Sequence, residues 1–331
     1  MITIPTVLVF SAGVSMSYGY PSGTQLVQEI LESLGSPNWE TTLSFCRVEK
    51  KERDEFKTEL FMSQQPSVDI FLERRVEFTN IGKLCIALSL MSRENNGNLI
   101  NFKDRSNSPY HYLFSKFDAK WEDFINNKIS FITFNYDRSF EHFLFTALKH
   151  THNRSDEETS GAINSILIIH VHGNLGPLPW QEPEGRPYGP LFHSTDEFGT
   201  ISNKREAERH MAQIARIIDD ASKRIIIVSE GQDTTKEFEN ARHVLSNAER
   251  IYFLGFGYYS VNLERLDIKN SHIVDPSIIA YGPNVRIMPF RGSALGLGQA
   301  ERVHIQNTWR IALPDNQRTA LEFMKEYADL N

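Results

Sequence analysis

The chain has 331 residues, a net charge of −7 and 23% charged residues. That length buries a substantial core without disulfides and suits one large α/β domain or two smaller ones. Basic residues are scattered and no run approaches 18 consecutive apolar residues, so neither a dedicated nucleic-acid surface nor a membrane span is indicated.

The first element expected is a strand in IPTVLVF, residues 4 to 10, followed by the small residues of SAGVS and a Pro-Ser-Gly turn. A secretory signal needs positive charge ahead of its apolar run, and the first basic residue here is Arg47. The stretch therefore reads either as a core strand entering a loop or as the floor of a nucleotide site. Cys46 and Cys85 are the only cysteines, which fits a reducing, cytoplasmic setting and rules out a four-cysteine zinc ribbon. No metal site is expected.

Residues 11 to 128 read mostly as helix, with TQLVQEILESL, SVDIFLERRVEFTNIGKLCIALSLMSRE, YHYLFSKF and WEDFINN as the amphipathic segments. A crossover needs far fewer residues, so a helical module inserted over about 36 to 127 is expected within a single domain spanning 1 to 331. Ser67 followed by Asp69 marks a helix start, and the stripe Phe71, Phe78, Ile81, Leu84 reads as core or oligomer contact.

Further strands are expected in ISFITF (129 to 134), SILIIHV (165 to 171), RIIIVS (224 to 229), RIYFLGF (250 to 256) and SIIAYG (277 to 282). Strands apolar on both faces and separated by helix-length segments predict an α/β fold with a doubly wound, mostly parallel sheet. Residues 173 to 195, rich in Pro and Gly, read as a lid loop, and NQRTALEFMKEYADL at the C-terminus as an amphipathic helix.

In open parallel sheets ligands bind outside the carboxyl ends of the strands. After the first strand, Ser11-Ala12-Gly13-Val14-Ser15 offers backbone N–H groups that can approach a pyrophosphate closely. The stretch lacks the GxGxxG pattern and its partner acidic residue, which disfavours an ordinary dehydrogenase. After the second strand, Asn135 and Asp137 read as an Asx turn capping the next helix, or as an amide that orients a ribose hydroxyl or water beside a carboxylate that opposes positive charge. After the third, His172 reads as a donor to a loop carbonyl or as a general base. His170 lies two residues earlier, so strand alternation puts both on one face and leaves open which reaches the cleft.

Taken in order, SAGVS, TFNYD (133 to 137) and His172-Gly173 resemble the sirtuin (silent information regulator two) superfamily, and FLGFGYYSVNLERL (253 to 266) looks like that family's later Gly-containing segment. The resemblance implies NAD+ as substrate, bound across Ala12, Gly13 and Ser15 with Thr133 beside it. Asn135 and Asp137 would lie near the nicotinamide ribose, His172 would be the catalytic histidine, and Gly255 with Ser260 or Asn262 would lie on the adenosine side.

Three departures shape the expectation. Ser11 stands where the family's first loop has Gly, residues 173 to 202 hold no cysteine for a zinc module, and Phe134 stands where deacylases have Gln. These resemble the zinc-less sirtuin-like effectors of bacterial anti-phage defence, which hydrolyse NAD+ to nicotinamide and ADP-ribose. The resemblance thus implies an NAD+ glycohydrolase that needs no metal, works as a homo-oligomer, and answers to a partner such as a hexameric translocase-type ATPase or another phage sensor. The alternatives are a non-hydrolytic NAD or ADP-ribose-binding regulatory subunit, which Ser11 favours, and an NAD-dependent protein deacylase.

Overall fold

The computed structural model describes residues 1–117, 120–192, 204–228, 235–269, 290–314 and 317–330. Among these residues six strands form one sheet: β1 (Thr6–Phe10), β2 (Ile129–Thr133), β3 (Leu167–His170), β4 (Arg250–Leu254), β5 (Phe290–Gly292) and β6 (Ile311–Ala312), in the order β3-β2-β1-β4-β5-β6. Every pairing is parallel. The chain is an α/β protein with a doubly wound sheet, whose order reverses between β1 and β4.

The apolar residues of the strands divide by alternation between two cores. Leu8, Phe10, Phe131, Tyr252 and Leu254 join the larger one, and Val7, Val9, Ile132, Ile169, Ile251 and Phe253 the smaller. The larger core is covered by helices from the segment between β1 and β2, among them Gly23–Ser33, Pro37–Phe45, Lys50–Ser63, Val68–Arg74, Thr79–Ser92 and Pro109–Phe117. From Ile81 to Met91 all but Lys83 of the Thr79 helix is buried, because the long helix Lys204–Arg224 packs along it. Ser67 caps Val68–Arg74 by accepting from the Asp69 N–H, and Phe71, Phe78, Ile81 and Leu84 all lie in the core.

Register decides what shares the carboxyl edge. Phe10 pairs with both Thr133 and Leu254, and Thr133 pairs with His170. Ser11, Phe134, Val171 and Gly255 therefore emerge level with one another. The ladder continues one residue further, with Phe134 N donating to Phe10 O at 2.9 Å and Val171 N to Thr133 O at 3.0 Å.

Two expectations change. RIIIVS forms no parallel strand over its described residues, since Arg224 ends a helix and Ile225 makes a single antiparallel bridge to Gly173. Gly173, at φ +72°, turns the chain back after β3, and His172 O then accepts from Ile226 N at 2.8 Å. The strand expected at 277 to 282 lies outside the described residues, as do 193 to 195 of the expected lid. β5 and β6 were not expected, being too short to show a periodicity. The C-terminal helix is Ala320–Glu326, opened by a capping box between Thr319 and Glu322. Among the described residues no helix is long and apolar enough to cross a membrane.

Candidate functional site

At the switch point the post-β1 loop winds directly into one helical turn, Ala12–Ser15. Its small residues serve the neighbouring backbone. Gly13 N donates to Gly255 O at 3.1 Å, Ser11 N to Leu254 O at 3.2 Å and Val14 N to Ser11 O at 3.0 Å. A Cβ on Gly13 would lie 2.6 Å from Gly255 Cα, so only glycine fits there. Ser11 is extended at φ −141°, a conformation any residue adopts, so its side chain costs no backbone strain. Ser15 is buried and donates to Ala12 O at 3.3 Å.

Asn135 follows β2 and is held at three points. Its N–H donates to Thr133 Oγ1 at 3.0 Å, its side-chain amide to Ser15 Oγ at 3.3 Å, and its carbonyl accepts from His170 Nδ1 at 2.9 Å. The structure thus brings Ser15, Thr133 and Asn135 together across the ends of β1 and β2. The Asn135 side-chain oxygen makes no hydrogen bond among the described residues. Asp137 forms the Asx turn, its Oδ1 accepting from Ser139 N at 3.0 Å and from the Ser139 hydroxyl. Burial pushes its carboxyl above the usual carboxylate range, although the Ser139 hydrogen bonds oppose this.

The two histidines differ in surroundings because β3 ends at His170, so strand alternation does not reach His172. His170 Nε2 meets Glu141 Oε1 at 2.6 Å while Nδ1 meets the Asn135 carbonyl. Glu141 also takes Arg138 Nε at 2.9 Å, and the Arg138 guanidinium continues to Asn174 Oδ1, Gly176 O and Gln181 Oε1. Burial raises the Glu141 carboxyl, but Arg138 and His170 more than offset it and bring it down to about 2.

His172 is enclosed by Phe134 and Phe238, each 5.5 Å away centroid to centroid, and by Tyr136 at 6.3 Å. Its Nδ1 is buried without a hydrogen-bond partner. Burial holds the imidazole below its ordinary value, although the nearby Asp69 pulls the other way. Asp69 accepts from the Tyr136 hydroxyl, and close by Arg265 pairs with Glu73 at 2.7 Å. The helix Val68–Arg74 thereby reaches the site from the segment between β1 and β2.

Gly255 lies at φ +62° and its N–H donates to Ser293 Oγ at 2.9 Å. Ser260, exposed, and Asn262, half-buried, sit on the short helix Ser260–Arg265. Neither side chain bonds to the other site residues. Reading the sequence alone missed Arg138, Glu141 and the Asp69–Tyr136 contact. The Arg-x-x-Glu spacing at the start of the helix Ser139–His152 was the available signal for the first two.

No protein-family model and no curated protein matches the chain. Its functional reading therefore rests on the residues themselves.

Proposed function

We propose that this chain is an NAD+ glycohydrolase that cleaves NAD+ to nicotinamide and ADP-ribose. The observation that carries the reading is the Asn135–Ser15 hydrogen bond, 3.3 Å, made where the ends of β1 and β2 adjoin the switch point of a β3-β2-β1-β4-β5-β6 sheet. The sirtuin-like order of SAGVS, TFNYD and His172-Gly173 supports it.

In the proposed reaction the bond from the ribose C1′ to the nicotinamide nitrogen breaks, and its electron pair leaves with neutral nicotinamide. A water oxygen bonds to C1′, and its proton passes to His172, whose burial favours the neutral, proton-accepting imidazole. Asn135 orients the ribose hydroxyl or the water through its side chain. Asp137 opposes the positive charge that builds on the sugar. No electrons are exchanged with a second substrate.

The enclosure of His172 supports a chain that turns over when a partner rearranges the site, with a hexameric translocase-type ATPase or another phage sensor as the proposed partner and a homo-oligomer as the working unit. Chromatographic assay for nicotinamide and ADP-ribose, with and without that partner, is the test. Asn135→Ala and His172→Ala should keep the circular dichroism of the parent and release no nicotinamide. Full turnover by both would overturn the assignment.

A second reading, a non-hydrolytic NAD or ADP-ribose-binding subunit, is favoured by the same enclosure. Phe134, Tyr136 and Phe238 withhold His172 from water. Calorimetric binding of NAD+ with no nicotinamide released, partner present, would select it.

A further inference from the structure

Outside the switch point, a cleft of about 410 Å³ opens beside the edge strand β3, between the end of the helix Asp156–Asn164 and the loop that follows Gly173. That volume falls in the range of small-molecule sites. What distinguishes the cleft is the direction of its polar groups.

Arg138 and two backbone N–H groups are donors only, and they take the oxygen ends of two carboxamides on the wall. Asn174 Oδ1 accepts from Arg138 Nη1 at 3.2 Å and from Gly176 N at 2.9 Å. Gln181 Oε1 accepts from Arg138 Nη2 at 2.7 Å and from Leu178 N at 3.0 Å. With the oxygens so fixed, the orientation of both amides is settled, and each turns its NH2 end away from Arg138. Neither Asn174 Nδ2 nor Gln181 Nε2 has a partner among the described residues.

One more unused donor shares the lining. The Trp180 ring stacks on Phe145 at 4.7 Å and adds aromatic wall, its buried indole N–H being closed to the cleft. The Arg224 guanidinium lies over Gly176, whose Cβ would come within 3.7 Å of Arg224 Cδ, and makes no hydrogen bond or ion pair among the described residues. Of the two carboxylates at the cleft, Glu141 is spent on Arg138 and His170, and Glu182 lies exposed at the rim, as do Gln181 and Arg224. Ile163, Ile166 and Ile168 supply apolar wall.

We infer that this cleft binds a phosphate monoester with an apolar or aromatic body, its phosphoryl oxygens on Asn174, Gln181 and Arg224. A group with three acceptor oxygens and negative charge matches a surface that offers donors from three side chains. The cleft is larger than a bare phosphate requires, and the isoleucines and Trp180 provide for the remainder of the ligand. The inference does not depend on the NAD reading, because binding is measured without turnover.

Calorimetric titration of the full chain with phenyl phosphate, inorganic phosphate and benzoate tests it, with Trp180 emission as a second readout. Phenyl phosphate should bind most tightly and benzoate least. Arg224→Ala and Gln181→Glu should each weaken phenyl phosphate binding about tenfold or more, as expected for loss of a charge-assisted hydrogen bond or gain of a repelling charge. Gln181→Glu keeps an oxygen for Arg138, so its thermal midpoint should match the parent, as should that of Arg224→Ala. Absence of phenyl phosphate binding, equal binding of benzoate, or undiminished binding in both variants would overturn the inference.

Discussion

Gly13 and Gly255 meet backbone to backbone at the ends of β1 and β4. The Gly13 N–H donates to the Gly255 carbonyl at 3.1 Å, and a Cβ on Gly255 would fall 2.5 Å from Val14 N. This contact joins the two strands where the sheet reverses direction, and it is the reason small residues follow β1.

Replacing Gly255 by Ala adds a methyl against backbone at φ +62°. Left-handed strain and overpacking together predict a loss of about 2–4 kcal/mol. Gly13→Ala lacks the dihedral penalty and should cost less, about 1–3 kcal/mol. Urea unfolding of the two variants and their double checks the claim, with a double-variant loss smaller than the sum because the backbone separation forced by one methyl also makes room for the other.

Glu141 links stability to acid. Its carboxyl, held at about 2 in the fold against an ordinary 4.5, binds protons more readily when unfolded. Its contribution is therefore complete above about pH 5 and is lost as pH falls toward 2, amounting to about 3 kcal/mol. Glu141→Gln should flatten the stability curve across that window. It should also cost about 3 kcal/mol or more at pH 7, because buried Arg138 loses its counter-charge.

His172 acts in a higher window. Its imidazole is held below the ordinary value, so the unfolded chain takes up a proton first as pH drops below about 6.5. Stability should decline there. His172→Phe, placed among Phe134 and Phe238, should fold at pH 7 and show a shallower decline between pH 7 and 5 in thermal melts. An unchanged slope would show that His172 protonates freely in the fold.

Arg186 fastens the loop after β3 to the helical layer. It pairs with Glu94, which is fully buried, at 2.6 Å and donates to Leu175 O at 3.0 Å, while Gly189 N also bonds Glu94. Arg186→Ala strands the Glu94 carboxylate and should cost about 3–5 kcal/mol. Limited proteolysis should then cut between residues 173 and 192. Arg186→Met combined with Glu94→Leu should recover most of the loss, since no charge remains to be buried.

Burial also governs the thiols. It lifts Cys46 to about 11 and drives Cys85 higher still, so both remain protonated at pH 7.5. Native protein should resist iodoacetamide, and unfolding in urea should expose two reactive thiols per chain.

Apolar runs by themselves determined β1, β2, β3 and β4, because each is a short run of aliphatic, β-branched and aromatic residues set between helix-length segments. They determined the parallel, doubly wound class for the same reason, and capping chemistry marked the helix start at Ser67. RIIIVS misled because an apolar run after a helix looks the same whether it joins a ladder or folds back on a glycine turn, and the Arg224 carbonyl stands where any side chain on Gly173 would go. Only the tertiary structure decided that Gly13 serves Gly255, that His170 and His172 part company at the end of β3, and that Arg138 holds the oxygens of two amides that line one cleft. Each depends on register or on groups far apart in the chain, and periodicity records which face a residue takes without recording what it meets there.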